Sequence, residues 1–172
     1  MGAGTIKRFI VYDSENFDTE FKDVISEDDF VIPAKDVKEY CVGCFGCWVK
    51  NPGKCIKEDG YENISSYMGS CQEMIIISRL TFGGYSPCIK NVIDRSTGFH
   101  LPFFGLIKGE MFRKKRYDDS FKLSVYFYGG KVEYQENAIR LVNANIRNLG
   151  VLDYNIKFYN DSPEIREELL SK

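Results

Sequence analysis

Five short runs of strand-forming residues, separated by helical or polar segments, constrain the fold more than any other feature. The clearest run is Met74–Ile77, a continuous apolar stretch of the kind that fills a parallel strand covered on both faces. The predicted strands are Lys7–Asp13, Phe30–Ile32, Met74–Ile77, Phe121–Tyr128 and Val151–Tyr159. Strands that alternate with such crossovers predict an α/β fold, in which helices cover both faces of an open five-stranded parallel sheet.

The segments between these strands carry helix signals. Pro87 is suited to a first helical turn, and Gly150 is suited to the residue that ends a helix. The predicted helices are Tyr61–Ser70, Pro87–Ile93, Gln135–Leu149 and Pro163–Leu170. There is no internal repeat or linker, so we expect a single domain over residues 1–172.

The charge balance argues against two classes of partner. The chain has 23 basic and 25 acidic residues and a net charge of −2, which gives no electrostatic reason to expect nucleic acid or an anionic membrane. No stretch approaches the roughly 20 apolar residues of a membrane span, and the N-terminus lacks the core of a signal peptide. We therefore expect a cytoplasmic protein.

Six cysteines in a reducing compartment are more plausible as metal ligands, reactive thiols or core residues than as a disulfide framework. Cys41, Cys44, Cys47 and Cys55 form a C-x2-C-x2-C-x7-C pattern. Two-residue spacers let thiolates converge, as an iron–sulfur cluster requires. Zinc ligation, thiol exchange, and small residues in a tight turn are the alternatives. The other two, Cys71 and Cys88, flank the central strand and are expected to fill the core.

The cysteine segment also carries a resemblance to a known family. The stretch from Cys41 to Cys55, with Trp48 inside it, resembles the signature of iron–sulfur flavoproteins and related NAD(P)H-dependent FMN reductases of the flavodoxin superfamily. The match continues through Ile75–Ser78, Thr81–Tyr85, Lys90 and Asp94–Arg95, so it covers about a third of the chain. The resemblance implies a flavodoxin-like, three-layer fold.

The same resemblance implies a function and a site. The expected activity is that of an FMN-dependent oxidoreductase, which takes hydride from NAD(P)H and passes electrons to a quinone, a flavin or a 4Fe-4S cluster. No catalytic side chain is assigned, because the flavin itself carries the chemistry. Phe82 and Tyr85 are the candidates for stacking on the flavin ring. The expected cofactor-binding residues are Ser14, Thr19, Leu80, Thr81, Phe82, Gly83, Gly84, Tyr85, Tyr128, Gly129 and Gly130, and the expected metal ligands are Cys41, Cys44, Cys47 and Cys55.

One segment departs from the family pattern. The family's phosphate loop usually reads Gly-Ser-Pro-Arg, but here Asp13–Glu20 has four carboxylates and no cation. Ser14 and Thr19 are the hydroxyl donors, and a helix terminus offers only about half a positive charge. Either a Lys or Arg of another subunit binds the phosphate, or FMN affinity has been lost.

Two alternatives to the reductase remain open: an electron-transfer iron–sulfur flavoprotein without its own substrate, and a flavin-free binding relative. The aromatic and basic segment 98–119 is expected to mediate a dimer or tetramer. Within it, the single histidine, His100, is expected to pack at a loop or interface. The run Arg113–Arg116 is expected to be a solvated basic face, with a nicotinamide phosphate as the alternative ligand.

Overall fold

The computed structural model describes residues 6–107, 109–117 and 120–170. The strands are β1 (Ile6–Tyr12), β2 (Phe30–Pro33), β3 (Cys71–Arg79), β4 (His100–Ile107), β5 (Glu110–Lys115), β6 (Lys122–Tyr128) and β7 (Tyr154–Tyr159). The helices are α1 (Phe17–Glu20), α2 (Gly46–Val49), α3 (Ile64–Ser70), α4 (Pro87–Arg95), α5 (Gln135–Leu149) and α6 (Ile165–Leu170). None of the described helices has the length and apolar character that a membrane span requires.

Five of the strands form one parallel sheet in the order β2-β1-β3-β6-β7. The apolar run of β3 lies at the centre, where Ile75 pairs with Ile10 of β1 and Ile76 pairs with Val125 of β6. This confirms the predicted five-stranded parallel sheet. Strand β2 lies on one side of β1 and β3 lies on the other side. The loops after β1 and β3 therefore lie where the strand order reverses.

Helices cover both faces of the sheet, as predicted. Alternate residues of β1 point in opposite directions: Phe9 and Val11 join one core cluster, while Ile10 and Tyr12 join the other. The first cluster includes buried residues of α3, α4 and α5, and the second includes buried residues of α1 and α6. The sheet therefore forms the middle of three layers.

The two longest helices have the ends that their sequences predict. At the start of α4, the side chain of Ser86 accepts a hydrogen bond from the Ile89 amide, directly before Pro87. At the end of α5, Gly150 has a left-handed φ of 64° and its amide bonds to the last turn. Helix α1, which follows β1, is much shorter, because it spans only four residues and ends before Phe21.

The segment 98–119 contains an element that the sequence analysis did not predict. Strands β4 and β5 form a separate antiparallel pair rather than joining the main sheet. Phe103, Phe104, Leu106 and Met111 on this hairpin are exposed. Residues 108, 118 and 119 of the segment lie outside the described residues. The hairpin is therefore an appendage with an apolar surface.

Candidate functional site

The first predicted flavin loop is a tight turn at the carboxyl end of β3. Thr81 and Gly84 exchange two backbone hydrogen bonds of 3.0 Å, which leaves Phe82 and Gly83 at the tip. Both tip residues have left-handed backbones, with φ of 47° and 82°. The Phe82 side chain is 86% exposed. A non-glycine residue in this conformation costs of order 1–3 kcal/mol, and such strain is concentrated at functional sites.

The structure separates the two aromatic candidates for ring stacking. Tyr85 is only 7% exposed and packs on Phe127 with ring centroids 5.5 Å apart. Its hydroxyl accepts a hydrogen bond from Asn145, and burial raises the pKa of Tyr85 to about 12. Tyr85 is thus a core side chain in this structure, whereas Phe82 presents an exposed ring at the same turn, with the centroid of the Tyr134 ring 6.3 Å away.

The second predicted loop follows β6 and lies beside the first. The Leu80 amide donates to the carbonyl of Tyr128, which joins the ends of the two strands. Gly129 and Gly130 both have left-handed backbones. A Cβ on Gly130 would lie 2.7 Å from the carbonyl oxygen of Leu80, so only glycine allows this approach. The structure therefore brings the predicted 80–85 and 128–130 loops together, with Leu80 buried between them.

Asp13, which the sequence analysis did not assign to a site, connects the β1 loop to both of these loops. Its carboxylate accepts from the Arg79 amide at 3.1 Å and from the Tyr128 hydroxyl at 2.9 Å. Burial raises the pKa of the Asp13 carboxyl above its ordinary value. Burial and the nearby Asp13 charge also raise the pKa of Tyr128. An acidic residue directly after a buried strand is the sequence signal that indicates such a role.

The hydroxyl groups predicted to bind an FMN phosphate are already used within the chain. The buried Ser14 hydroxyl donates to Ser162, whose hydroxyl donates in turn to the carboxylate of Glu20. Thr19 donates to the backbone carbonyl of Asn16. Helix α1 has only one turn, so it adds little positive field.

One part of this edge suits FMN and another part does not. The exposed Phe82 ring, held by a strained left-handed backbone, and the adjacent glycine loop fit the ring of a flavin. The β1 loop does not fit a phosphate dianion, because its donors are satisfied and the carboxylates of Asp13 and Glu20 are the acceptors there. A cation from outside this loop is needed to bind the phosphate.

The four patterned cysteines line a single pocket at the other end of α4. Its wall contains Cys41, Cys44, Cys47 and Cys55, together with Lys57, Arg95 and Thr97. Cys41 and Cys44 are exposed, and the other two are half-buried. Burial, followed by the neighbouring thiols, raises the pKa of Cys47. The fold thus brings all four predicted ligands to one pocket, although Cys55 follows a seven-residue spacer.

Gly46 and Phe45 explain the local shape of this pocket. A Cβ on Gly46 would lie 2.5 Å from a methyl carbon of Ile56, so any larger residue there would force the Ile56 side chain to shift. Phe45 has a left-handed φ of 54° and stacks on Trp48. The Trp48 indole donates to the carbonyl of Thr97, which anchors helix α2 beside the pocket.

The residues of the pocket suit an iron–sulfur cluster, but its geometry does not. Four thiols are the donor set that such a cluster takes. However, no three Cys, His, Asp or Glu side chains within the described ranges are placed to hold a metal ion. The cavity is about 40 Å³, which is room for only a few water molecules. The sulfurs share a pocket but do not form a closed ligand set.

Cys71, Cys88 and His100 lie outside these two places, whereas Arg113 lies over Trp48 beside the cysteine pocket. Cys71 is buried, and burial raises its pKa to about 12, as expected for a core thiol. Cys88 is half-buried in α4 and packs against the core. The buried His100 ring bonds to the Asn148 carbonyl at 2.9 Å. In the basic run, the guanidinium carbon of Arg113 lies over the Trp48 ring, 5.6 Å from the ring centroid.

No family model and no curated protein matches the sequence. Solved structures do match the fold. An NAD(P)H:quinone oxidoreductase from Methanothermobacter marburgensis aligns with a TM-score of 0.59 and 16% identity, over 98% of this chain and 92% of that one. An azoreductase from Bacillus anthracis str. Sterne aligns with a TM-score of 0.58 and 13% identity, over 96% and 93%. The fold is flavodoxin-like.

A third structure connects this fold to a cofactor. An FMN-dependent NADH-azoreductase from Bacillus anthracis str. Ames Ancestor, in complex with FMN, aligns with a TM-score of 0.54 and 14% identity, over 96% of this chain and 94% of that one. In flavodoxin-like folds, ligands bind beyond the carboxyl ends of the strands, where the strand order reverses. In this chain that position is the edge formed by Asp13, the Thr81–Gly84 turn and Tyr128.

Proposed function

We propose that this chain is a flavin-dependent oxidoreductase that accepts hydride from NAD(P)H and passes electrons to a small acceptor such as a quinone or a flavin. The observation that carries the proposal is the exposed Phe82 ring, held by a strained left-handed backbone at the reversal point of a flavodoxin-like sheet. Its structural neighbours include an FMN-dependent NADH-azoreductase and an NAD(P)H:quinone oxidoreductase.

The proposed roles of the residues follow from the geometry of this edge. When bound, FMN supplies hydride acceptance and electron transfer. The backbone of the Thr81–Gly84 turn would bind the polar edge of the ring, and Phe82 would cover one face of it. Gly129 and Gly130 keep the second loop close to the first. The phosphate requires a cation from outside the β1 loop, and a second copy of this chain is the proposed source.

An assembly of identical chains is part of the proposal. The β4–β5 hairpin exposes Phe103, Phe104, Leu106 and Met111. Leu106 and Met111 are cross-strand partners, and exposed apolar patches commonly mark interfaces. Light scattering of the full chain measures the assembly directly. A monomer at all concentrations would remove the second copy as the source of the phosphate cation.

Turnover of the purified chain with FMN tests the activity. We expect steady oxidation of NADH or NADPH when a quinone or free flavin is present as acceptor. Reduction of bound flavin without steady turnover would instead support an electron-transfer flavoprotein. No flavin binding would support the flavin-free relative, which the carboxylates of the β1 loop favour.

We also propose that the cysteine pocket binds an iron–sulfur cluster, with Cys41, Cys44, Cys47 and Cys55 as ligands. The four thiols line one pocket, which has to widen before a cluster fits. Anaerobic reconstitution with iron and sulfide should give stoichiometric iron, and Cys44→Ser should remove it. Stoichiometric zinc, or no metal at all, would contradict this part of the proposal.

A further inference from the structure

A cavity of about 450 Å³ lies between strand β5 and the C-terminal end of α5, and we call it the β5–α5 pocket. Residues 112–115 of β5 form one wall, and residues 147–150 at the end of the helix form another. Cavities that bind small organic molecules commonly have volumes of about 300–1,000 Å³. The pocket is therefore large enough for a small organic ligand.

This pocket lies at the opposite edge of the sheet from the Phe82 turn. Helix α5 begins after the carboxyl end of β6 and returns to the start of β7, so its last turn lies near the amino ends of these two strands. Strand β6 has 7 residues, and at about 3.3 Å per residue the two edges are about 20 Å apart. A ligand in the pocket would therefore lie outside the proposed flavin site, and the inference below does not depend on flavin binding.

Positive charge is concentrated in the pocket, although the chain has a net charge of −2. The cationic side chains that line it are Arg113, Lys114, Lys115 and Arg147. Within the described ranges, no acidic side chain lines the pocket and none of these cations has an ion-pair partner. Arginines elsewhere in the chain do pair with carboxylates, namely Arg8, Arg95, Arg140 and Arg166. The pocket therefore differs from the rest of the surface in its uncompensated charge.

Only part of this charge is used to stabilise the end of α5. Lys115 donates to the Gly150 carbonyl at 2.9 Å, and the His100 ring bonds to the Asn148 carbonyl. A helix C-terminus carries about half a negative charge, which is much less than the charge of four cations. The Arg113 guanidinium also lies over the Trp48 ring, but an aromatic ring does not neutralise a charge. Most of the positive charge thus remains available to a ligand.

The wall beside these cations is partly apolar. Phe112 is half-buried, whereas its neighbours along β5 are exposed. Leu149 is half-buried at the end of α5 and packs against the core. Apolar walls lower the local dielectric and so strengthen the attraction between a cation and a bound anion. A purely solvated basic face would not have such walls.

The geometry points to the β5–α5 pocket as a binding site for a small organic polyanion, whose phosphate groups bind the cations and whose apolar part packs on Phe112 and Leu149. Arginine and lysine side chains are the usual ligands of phosphate oxygens. A single carboxylate would neutralise only one of the four cations, so a ligand with two or more negative charges fits better. A nucleoside diphosphate has both the charged and the apolar part, and ADP is the probe.

The test is isothermal titration calorimetry of the full chain with ADP, inorganic pyrophosphate and adenosine. Pyrophosphate has only the charged part of the probe, and adenosine has only the ring and the sugar. We expect ADP to bind at least about tenfold more tightly than either, because both walls contribute to its affinity. Higher salt should weaken the binding of ADP and pyrophosphate but hardly change that of adenosine.

Matched variants show where ADP binds. Lys114→Gln and Arg147→Gln each remove one exposed pocket cation and should each weaken ADP binding about fivefold. Arg140→Gln is the control, because it makes the same change of charge on α5 at a residue that pairs with Glu136 outside the pocket. This control and Phe82→Ala should bind ADP within about twofold of wild type, since neither touches the pocket and salt screens distant charges. Circular dichroism checks folding, and Lys114→Gln carries the test if Arg147→Gln does not fold.

Each outcome decides the inference. Weaker ADP binding in the pocket variants, with unchanged binding in both controls, supports it. An equal loss in Arg140→Gln would indicate general attraction between charges, and a loss only in Phe82→Ala would place ADP at the flavin edge; either result overturns the inference. Pyrophosphate that binds as tightly as ADP, or a wild-type chain that does not bind ADP, also overturns it. None of these results affects the proposed function, which is tested separately by turnover with NADH or NADPH.

Discussion

Phe82→Ala tests whether the turn after β3 binds a flavin ring. Phe82 is 86% exposed, so a flavin stacked on it would bury one face that is now in water. Complete burial of an aromatic side chain removes about 150–250 Å² of its surface from water. The area of one face is roughly half of the smaller value, or about 75 Å². At about 25 cal/mol per Å², this contributes about 2 kcal/mol, or about a 30-fold weaker Kd after truncation.

The assay is a fluorescence titration of FMN with the wild-type chain, Phe82→Ala and Tyr85→Phe. Tyr85→Phe is the matched control, because it removes only a hydroxyl that bonds to Asn145 inside the core. We expect Phe82→Ala to weaken binding without lowering thermal stability, since its side chain contributes little to the core. The control should bind FMN within about twofold of wild type. An unchanged Kd for Phe82→Ala would refute the assignment of this turn to the ring.

The other predictions concern charge, backbone strain and pH. Neutralising the β1 loop with Glu15→Gln and Asp18→Asn should tighten FMN binding at low salt, where screening is weak, and should affect riboflavin much less; equal gains for both ligands would mean that the charges act on loop order. Gly130→Ala should lower the free energy of unfolding by at least 1–2 kcal/mol, because φ is +77° and the new Cβ meets the Leu80 carbonyl; an unchanged urea midpoint would contradict this. Burial lowers the pKa of His100, so the unfolded chain binds more protons below about pH 6.5. Stability should therefore fall as the pH drops below that value, and His100→Gln should make the acid side of the stability profile flatter, whereas an identical profile would remove His100 as a cause.

The sequence predicted those parts of the fold that depend on local patterns. Met74–Ile77 indicates a central strand because a parallel strand covered on both faces is typically apolar without interruption. Gln135–Leu149 has the bounds predicted for it, because apolar spacing and Gly150 mark the helix and its end. The β4–β5 hairpin was missed because its strands are mostly exposed and pair only with each other, so no buried face produces a pattern.

The candidate site was predictable only at the level of its loops. The Thr81–Gly84 turn and the second glycine loop were predicted and lie together, but the sequence could not show which of Phe82 and Tyr85 is exposed. The contacts of Asp13 and Arg95 join residues far apart in the chain, such as Asp13 with Tyr128 and Arg95 with Asp59. Pairings of this kind depend on the assembled sheet, which local spacing does not describe.

Anaerobic reduction of the FMN-loaded chain by a nicotinamide cofactor tests the central proposal most directly. One equivalent of NADH or NADPH is added without oxygen, and the visible absorption band of the bound flavin is followed with time. The account predicts that the band bleaches with at least one of the two cofactors and returns when a quinone is added. A chain that binds FMN but keeps the band unchanged with both cofactors would contradict the proposed function.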